Sequence, residues 1–358
     1  MQQTTQSSNF LSQGGKSPLI GIVANPVSAR DIRRLIANAN SLQVADRANI
    51  VLRILAALAA TGVGQVLMMP DKGGIRAYLQ RSLAREQSLA SQSWPQVDFV
   101  EMPVEGSVRD TWRAVEAMVA AAVDAIIVLG GDGTHRAVVS RCGAIPVAGL
   151  STGTNNAFPD LREPTITGLA AGLLASGKLS FEQACSANKL LRVEVERSNG
   201  EQLQDLALVD IVLTTERYVG ARALWKTDGF RELFVTFAEP HAIGMSAIAG
   251  LLAPMARSES QGVWVQLGSP GDCTRQLRAP IAPGLVLPVG VRDWRTIDAG
   301  ERIALPPQGG SLALDGEREI ELSPTDRVHV SLVKDAFYTV DVSAAMQQAA
   351  VRQLLLHA

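Results

Sequence analysis

Two stretches carry residue types suited to chemistry: Ala125 to Thr134, AIIVLGGDGT, and, a little further on, Ile145 to Asn156, IPVAGLSTGTNN. Each opens with an uncharged apolar run that reads as a buried parallel strand, then empties into a turn of glycines, hydroxyls and carboxylate or amide side chains. Gly130, Gly131 and Gly133 let backbone N–H groups approach a ligand closely. A helix expected from Thr134 onward adds unpaired donors and the positive end of its dipole, which together make a phosphate cradle. Asp132 is the informative residue, because a carboxylate beside phosphates is repelled unless it has a task. It either holds a Mg²⁺ ion that bridges to the phosphates or takes a proton from an attacking hydroxyl, and both tasks belong to phosphoryl transfer. The competing reading is a turn that merely joins strand to helix, since short motifs also arise without function. The second loop, Ser151, Thr152, Gly153, Thr154, Asn155 and Asn156, weighs against that reading. Its hydroxyls and amides exceed what one helix cap needs and suit ribose or phosphate oxygens.

The elements around these turns must hold them at one place. Pro18 to Ala24 reads as the first strand and ends in Asn25-Pro26-Val27-Ser28, a turn able to bond a nucleotide or its own backbone. Arg30, Arg33 and Arg34 follow, either near phosphate charge or on a solvated face. Val44 to Ala60 has a helical period that stops at Gly62; Gln65 to Met69 is a strand, Ile75 to Gln87 a helix, Val97 to Met102 a strand and Val108 to Ala122 a helix. This alternation predicts an open, mainly parallel sheet with right-handed crossovers. Ligands of such sheets bind beyond the carboxyl ends of the strands, where strand order reverses, and the turns at Asn25, Asp132 and Thr152 are expected there. His135 reads as a solvent-facing helix residue, and Arg136 either reaches a phosphate or lies on the surface. Thr165 to Ala175 is a further helix. From Lys189 the pattern turns to period-two alternation, with Leu191, Val193 and Val195 against Arg192, Glu194 and Glu196. More strand-like runs occur at Leu206 to Thr214, Gly262 to Leu267, Leu285 to Val289, Ser311 to Leu314 and Val328 to Leu332, so the second half reads as an antiparallel, sandwich-like β domain.

The GGDGT run at Gly130 to Thr134 resembles the signature of NAD kinases and of diacylglycerol and sphingosine-type lipid kinases. The closest likeness is to the ATP-NAD kinase branch that includes the acetoin-catabolism protein X. The resemblance implies an NAD kinase-like fold, ATP and Mg²⁺ as cofactors, and a small-molecule hydroxyl as acceptor. Asp132 is then the base or a metal-linked acid, while Asn25, Gly130, Gly131, Gly133, Thr134 and the 151–156 loop bind nucleotide. The Leu314-Asp315-Gly316-Glu317 run is similar to an acidic element of the lipid kinases, which assigns Asp315 to metal and Glu317 to catalysis; on sequence alone it is an ordinary hairpin turn. Ala207 to Val212 resembles the NAD kinase strand in which an Asn followed by an acid contacts the dinucleotide. Here Asp210 keeps the acid, and Val209 stands where the Asn is expected, which weakens NAD as substrate. Asp210 and Arg222 are the candidate acceptor-binding residues, with 217–225 and 239–252 as pocket walls.

Composition sets the outer bounds. A chain of 358 residues suggests more than one domain. The expected division is a disordered tail at 1–17, an α/β nucleotide-binding domain at 18–180, a β-rich acceptor domain at 181–335, and a C-terminal strand and helix at 336–358 that packs back on the first domain or on another subunit. A net charge of −2 without a basic stripe argues against a nucleic-acid partner. Cys142, Cys185 and Cys273 have neither metal-ligand nor disulfide spacing, which fits a reducing compartment. The N-terminus lacks the features of a secretion signal, and no apolar run is long enough to span a bilayer, so a cytoplasmic location is expected. A homo-oligomer is expected as well. The leading function is an ATP-dependent kinase acting on NAD. The alternatives are a lipid kinase, with 242–256 walling an apolar groove, and a non-catalytic nucleotide-binding sensor or accessory protein.

Overall fold

The computed structural model describes residues 17–26, 43–88, 93–152, 156–216, 227–316 and 318–356. The candidate residues Gly153, Thr154, Asn155, Arg222 and Glu317, together with Val27, Ser28, Arg30, Arg33 and Arg34 and the expected tail up to residue 16, lie outside them.

The first half alternates as its apolar periods require. Strands β1 (Leu19–Ala24), β2 (Gln65–Met68), β3 (Gln96–Phe99), β4 (Ala125–Gly130) and β5 (Val147–Ser151) are joined through helices Val44–Thr61, Ile75–Ser88, Val108–Ala120 and Asp132–Val139. Every residue of β4 is buried, as expected of an uncharged run covered by helices on both faces. Helix Val44–Thr61 ends on Gly62 in the left-handed conformation (φ 94°), and Ser107 and Asp110 form a capping box at the start of Val108–Ala120. Helix Pro164–Ala175 lies against Val44–Thr61 at close range. A Cβ at Gly168 would sit 2.8 Å from the Ala57 Cβ, and one at Gly172 would land on the Thr61 hydroxyl.

The strand order β3-β2-β1-β4-β5 places the first three strands on one side and then jumps back across β1, so the order reverses between β1 and β4. The turns after those two strands carry Asn25 and Asp132. The sheet continues with β16 (Arg327–Val340), β6 (Cys185–Glu196) and β7 (Gln202–Ala207), and β13 (Arg302–Ala304) pairs with β16, giving nine strands among the described residues. Thr339 of β16 pairs in parallel with Val147 of β5, while β16, Thr339 included, pairs antiparallel with β6 on its other side. The late strands are therefore divided between two sheets.

The second sheet has seven strands, all antiparallel: β11 (Arg275–Ala282), β12 (Leu285–Ile297), β10 (Gly262–Gly268), β9 (Phe230–Val235), β8 (Asp210–Thr214), β14 (Gly310–Leu314) and β15 (Arg318–Leu322). One face packs Ile211, Leu213, Phe234 and Leu312 against Leu191, Val193 and Val330 of the first sheet. The other face buries Met245, Ile248 and Ala249 of the short helix Met245–Gly250. The expected single strand from Leu206 to Thr214 is interrupted at Leu208 and Val209, because the N–H groups of both turn aside to the Asp315 carboxylate. Helix Val342–Val351 buries Val342, Ala345 and Ala349 in the same core as Ile54 and Leu58. Among the described residues no helix is long and apolar enough to cross a membrane.

Candidate active site

The helix after β4 begins at Asp132, two residues before the expected start, with Gly131 as its extended N-cap. Asp132 therefore occupies the first turn, where the helix dipole favours an anion. It is only 8% exposed. One carboxylate oxygen accepts the Phe158 N–H at 2.9 Å and the other the Ala157 N–H at 3.0 Å. The glycines before it admit neighbouring side chains. A Cβ at Gly130 would stand 2.5 Å from the Thr134 Cβ, and one at Gly131 would stand 2.9 Å from the Asn156 Oδ1. Asn25 Nδ2 donates to the Thr134 hydroxyl at 3.3 Å, and its backbone N–H donates to Leu129. Asn156 Nδ2 donates to the Ser151 hydroxyl at 2.9 Å, and the Thr152 N–H reaches the Gly130 carbonyl at 3.4 Å. Asn25, Gly130, Gly131, Asp132, Thr134, Ser151, Thr152 and Asn156 are thus tied into one cluster at the carboxyl ends of β1, β4 and β5. Gly133 sits half-buried in the first turn of the same helix.

His135 is fully buried, contrary to the solvent-facing position expected for it. Its Nδ1 lies 2.9 Å from the Gly131 carbonyl and donates to it, which leaves Nε2 as the acceptor nitrogen. Among the described residues Nε2 has no hydrogen-bond partner, and a Cβ at Gly149 would stand 2.8 Å from it. Burial lowers the His135 pKa to about 4, against a smaller opposing effect of the Gly131 bond. The physical reason for its burial was present in the sequence: His135, Val138, Val139 and Cys142 follow the spacing of one helical face.

Across from Asp132 lies Asp315, at the turn between β14 and β15. It is 4% exposed, with a left-handed backbone (φ 50°). Its carboxylate accepts the N–H groups of Leu208, Val209 and Asp210 at 2.8–3.3 Å, and its own N–H donates to the Asp210 carbonyl at 3.0 Å. Arg136, left open between phosphate and surface by its position, reaches Asp315 at 3.8 Å and Asp205 at 3.6 Å. Burial raises the Asp315 pKa to about 7; the Arg136 charge opposes that shift and the Asp132 charge adds to it. Val209 is 1% exposed and packs in an apolar cluster with Phe158 and Phe237, so the position where NAD kinases are expected to carry an amide is core here. Asp210 is buried beside it at 7% exposure.

The carboxylates expected to hold a metal, Asp132 and Asp315, both accept backbone N–H groups. Among the described residues no group of three or more His, Cys, Asp or Glu is arranged to hold an ion.

One component has no signature in the sequence. Arg257 extends from the loop before β10 and donates to the Phe158 carbonyl at 2.7 Å and the Ala157 carbonyl at 2.5 Å. It lies about a hundred residues from its partners along the chain and within no recognisable pattern.

The ATP-NAD kinase N-terminal domain matches residues 20–179, and the acetoin catabolism protein X C-terminal domain matches residues 189–335. The chain is 54% identical over 339 residues to acetoin catabolism protein X of Cupriavidus necator, covering 95% of this chain and 94% of that protein. It therefore belongs to the acetoin catabolism protein X family. The solved yeast NADH kinase, in complex with NADH, shares the fold at a TM-score of 0.50 with 14% identity, over 94% of this chain and 87% of that one.

Proposed function

We propose that this protein is an ATP-dependent phosphotransferase that phosphorylates a hydroxyl of a small molecule, with NAD as the acceptor the family likeness points to first. The observation that carries the reading is the placement of Asp132: a carboxylate at a helix start, beyond the strand at which sheet order reverses. In this reading residues 18–180 hold the nucleotide, and Asn25, Thr134, Ser151 and Asn156 bond its ribose or phosphates together with the 153–155 segment. Asp132 accepts the proton of the attacking hydroxyl. Residues 181–335 supply the acceptor side, Asp210 and Arg222 among them, and Glu317 is a second acid. Closing a second sheet over the site keeps water from competing for the phosphoryl group.

The test is transfer of labelled γ-phosphate from ATP, with magnesium present, to NAD and a panel of other hydroxyl compounds. Wild-type protein is expected to yield a phosphorylated product, and Asp132→Asn to lose about 10²-fold or more of the rate. An Asp132→Asn variant turning over at the wild-type rate on the same acceptor contradicts the assignment.

A second reading is favoured by Val209. With an apolar side chain buried where a dinucleotide contact is expected, the protein binds a nucleotide as a sensor or accessory and transfers nothing. It predicts stabilisation by ATP alone and no product with any acceptor. Of the 242–256 wall that the lipid-kinase reading needs, Met245, Ile248 and Ala249 lie in the second sheet's own core, while Leu251 is 42% exposed.

A further inference from the structure

We infer that Arg257 is a positioning residue for Asp132, acting through the Ala157–Phe158 dipeptide that the two side chains grip from opposite edges. Asp132 takes both N–H groups of the dipeptide, at 3.0 and 2.9 Å. Arg257 takes both of its carbonyls, with Nη2 on Ala157 and Nη1 on Phe158. The guanidinium is itself held on its remaining sides. Its Nε donates to Glu239 at 3.2 Å, and its Cζ lies 4.2 Å from the centre of the Phe237 ring and 5.9 Å from that of Phe158. Its backbone is fixed by the antiparallel bridge between Ala238 and Met255, and Lys189 of β6 anchors the same loop by donating to the Gln261 carbonyl at 2.6 Å.

The geometry needs an arginine. Two neighbouring carbonyls are met at once by the planar fork of a guanidinium, whereas an ammonium is a point donor without that preset geometry. Asp132 comes from the helix that follows β4 of the first sheet, and Arg257 from the connection between β9 and β10 of the second. The orientation of the carboxylate therefore depends on the second sheet through the Ala157–Phe158 dipeptide, which is how a remote acceptor domain sets the aim of a group in the nucleotide domain. The geometric part of this inference stands without any assigned reaction; its consequence for turnover rests on the phosphotransfer reading.

Amide hydrogen exchange of the full-length, ligand-free protein tests it, read on peptides that contain residues 157 and 158. Arg257→Gln and the milder Arg257→Lys are expected to speed exchange there by about tenfold or more, the scale of a lost charge-assisted hydrogen bond, with peptides of β4 and β1 unchanged. Asp132→Asn is expected to release the same peptides. The double variant is expected to exchange more slowly than the product of the two single effects, because both side chains hold one element. In turnover, Arg257→Lys is expected to lower kcat about tenfold while leaving the KM for ATP within about threefold, which marks a lost transition-state geometry rather than lost binding. Unchanged exchange at 157 and 158 in both Arg257 variants overturns the inference, as does exchange that rises equally over the whole chain. If the wild-type protein transfers no phosphoryl group, the kinase reading falls and the exchange result still decides the role of Arg257.

Discussion

At the scale of single residues, two buried groups near the candidate site titrate in opposite senses. His135 stays neutral in the folded protein, with a pKa lowered to about 4, whereas the unfolded chain protonates near the ordinary value of 6.5. The unfolded state thus binds the extra proton as pH falls from 6.5 to 4, and stability attributable to His135 is lost in that window. Asp315 behaves conversely. Its pKa is raised to about 7, so the folded state holds a proton that the unfolded chain has released, and stability falls as pH rises from about 4 to about 7. Denaturant unfolding across pH 4 to 8 checks both. The stability difference between wild type and His135→Gln should shrink as pH falls below 6.5, and that between wild type and Asp315→Asn should shrink as pH rises toward 7. Flat differences would show that neither group titrates as its burial requires. Much at this scale was readable beforehand. GGDGT and the Asn25, Ser151 and Asn156 turns are local signatures, and they do meet. Arg257 was not readable, because its partners are distant in sequence and its bonds go to backbone carbonyls, which leave no trace in residue identity.

At the scale of elements, close approaches decide what local pattern cannot. The strand expected from Leu206 to Thr214 has continuous β character in its residue types. It breaks because Asp315, from a turn a hundred residues later, takes the N–H groups at 208–210. Asp315→Ala should leave those buried donors unpaired at a cost of about 1–3 kcal/mol for each one that finds no other acceptor. A denaturation midpoint equal to wild type would contradict that role. The helix pair Val44–Thr61 and Pro164–Ala175 offers a second test. Gly172→Ala places a methyl against the Thr61 hydroxyl and should destabilise by about 1–3 kcal/mol, the range for overpacking. Adding Thr61→Ala removes the obstructing oxygen and should recover part of the loss; additive losses would refute the contact. The helices themselves were legible from their apolar periods and, at the end of Val44–Thr61, from Gly62.

At the scale of the whole molecule, the α/β first half and the β-rich second half follow from a change of period that the sequence displays near residue 189. The way they join does not follow. The end of β16 returns to β5 of the first sheet, and only its Val328 to Leu332 portion carries a clear alternation; the irregularity between Val333 and Phe337 hides the remainder. That return brings the Asp315 turn, Arg136 and Asp132 into one charged cluster between the sheets. In the proposed function a nucleotide's terminal phosphates lie at this junction, against Asp132. A crystal structure with a non-hydrolysable ATP analogue locates them. γ-Phosphate density is expected beyond the carboxyl ends of β1 and β4, within hydrogen-bonding reach of Thr134 or Asn25 and beside the Asp132 carboxylate; an analogue seated away from that junction would overturn the assignment.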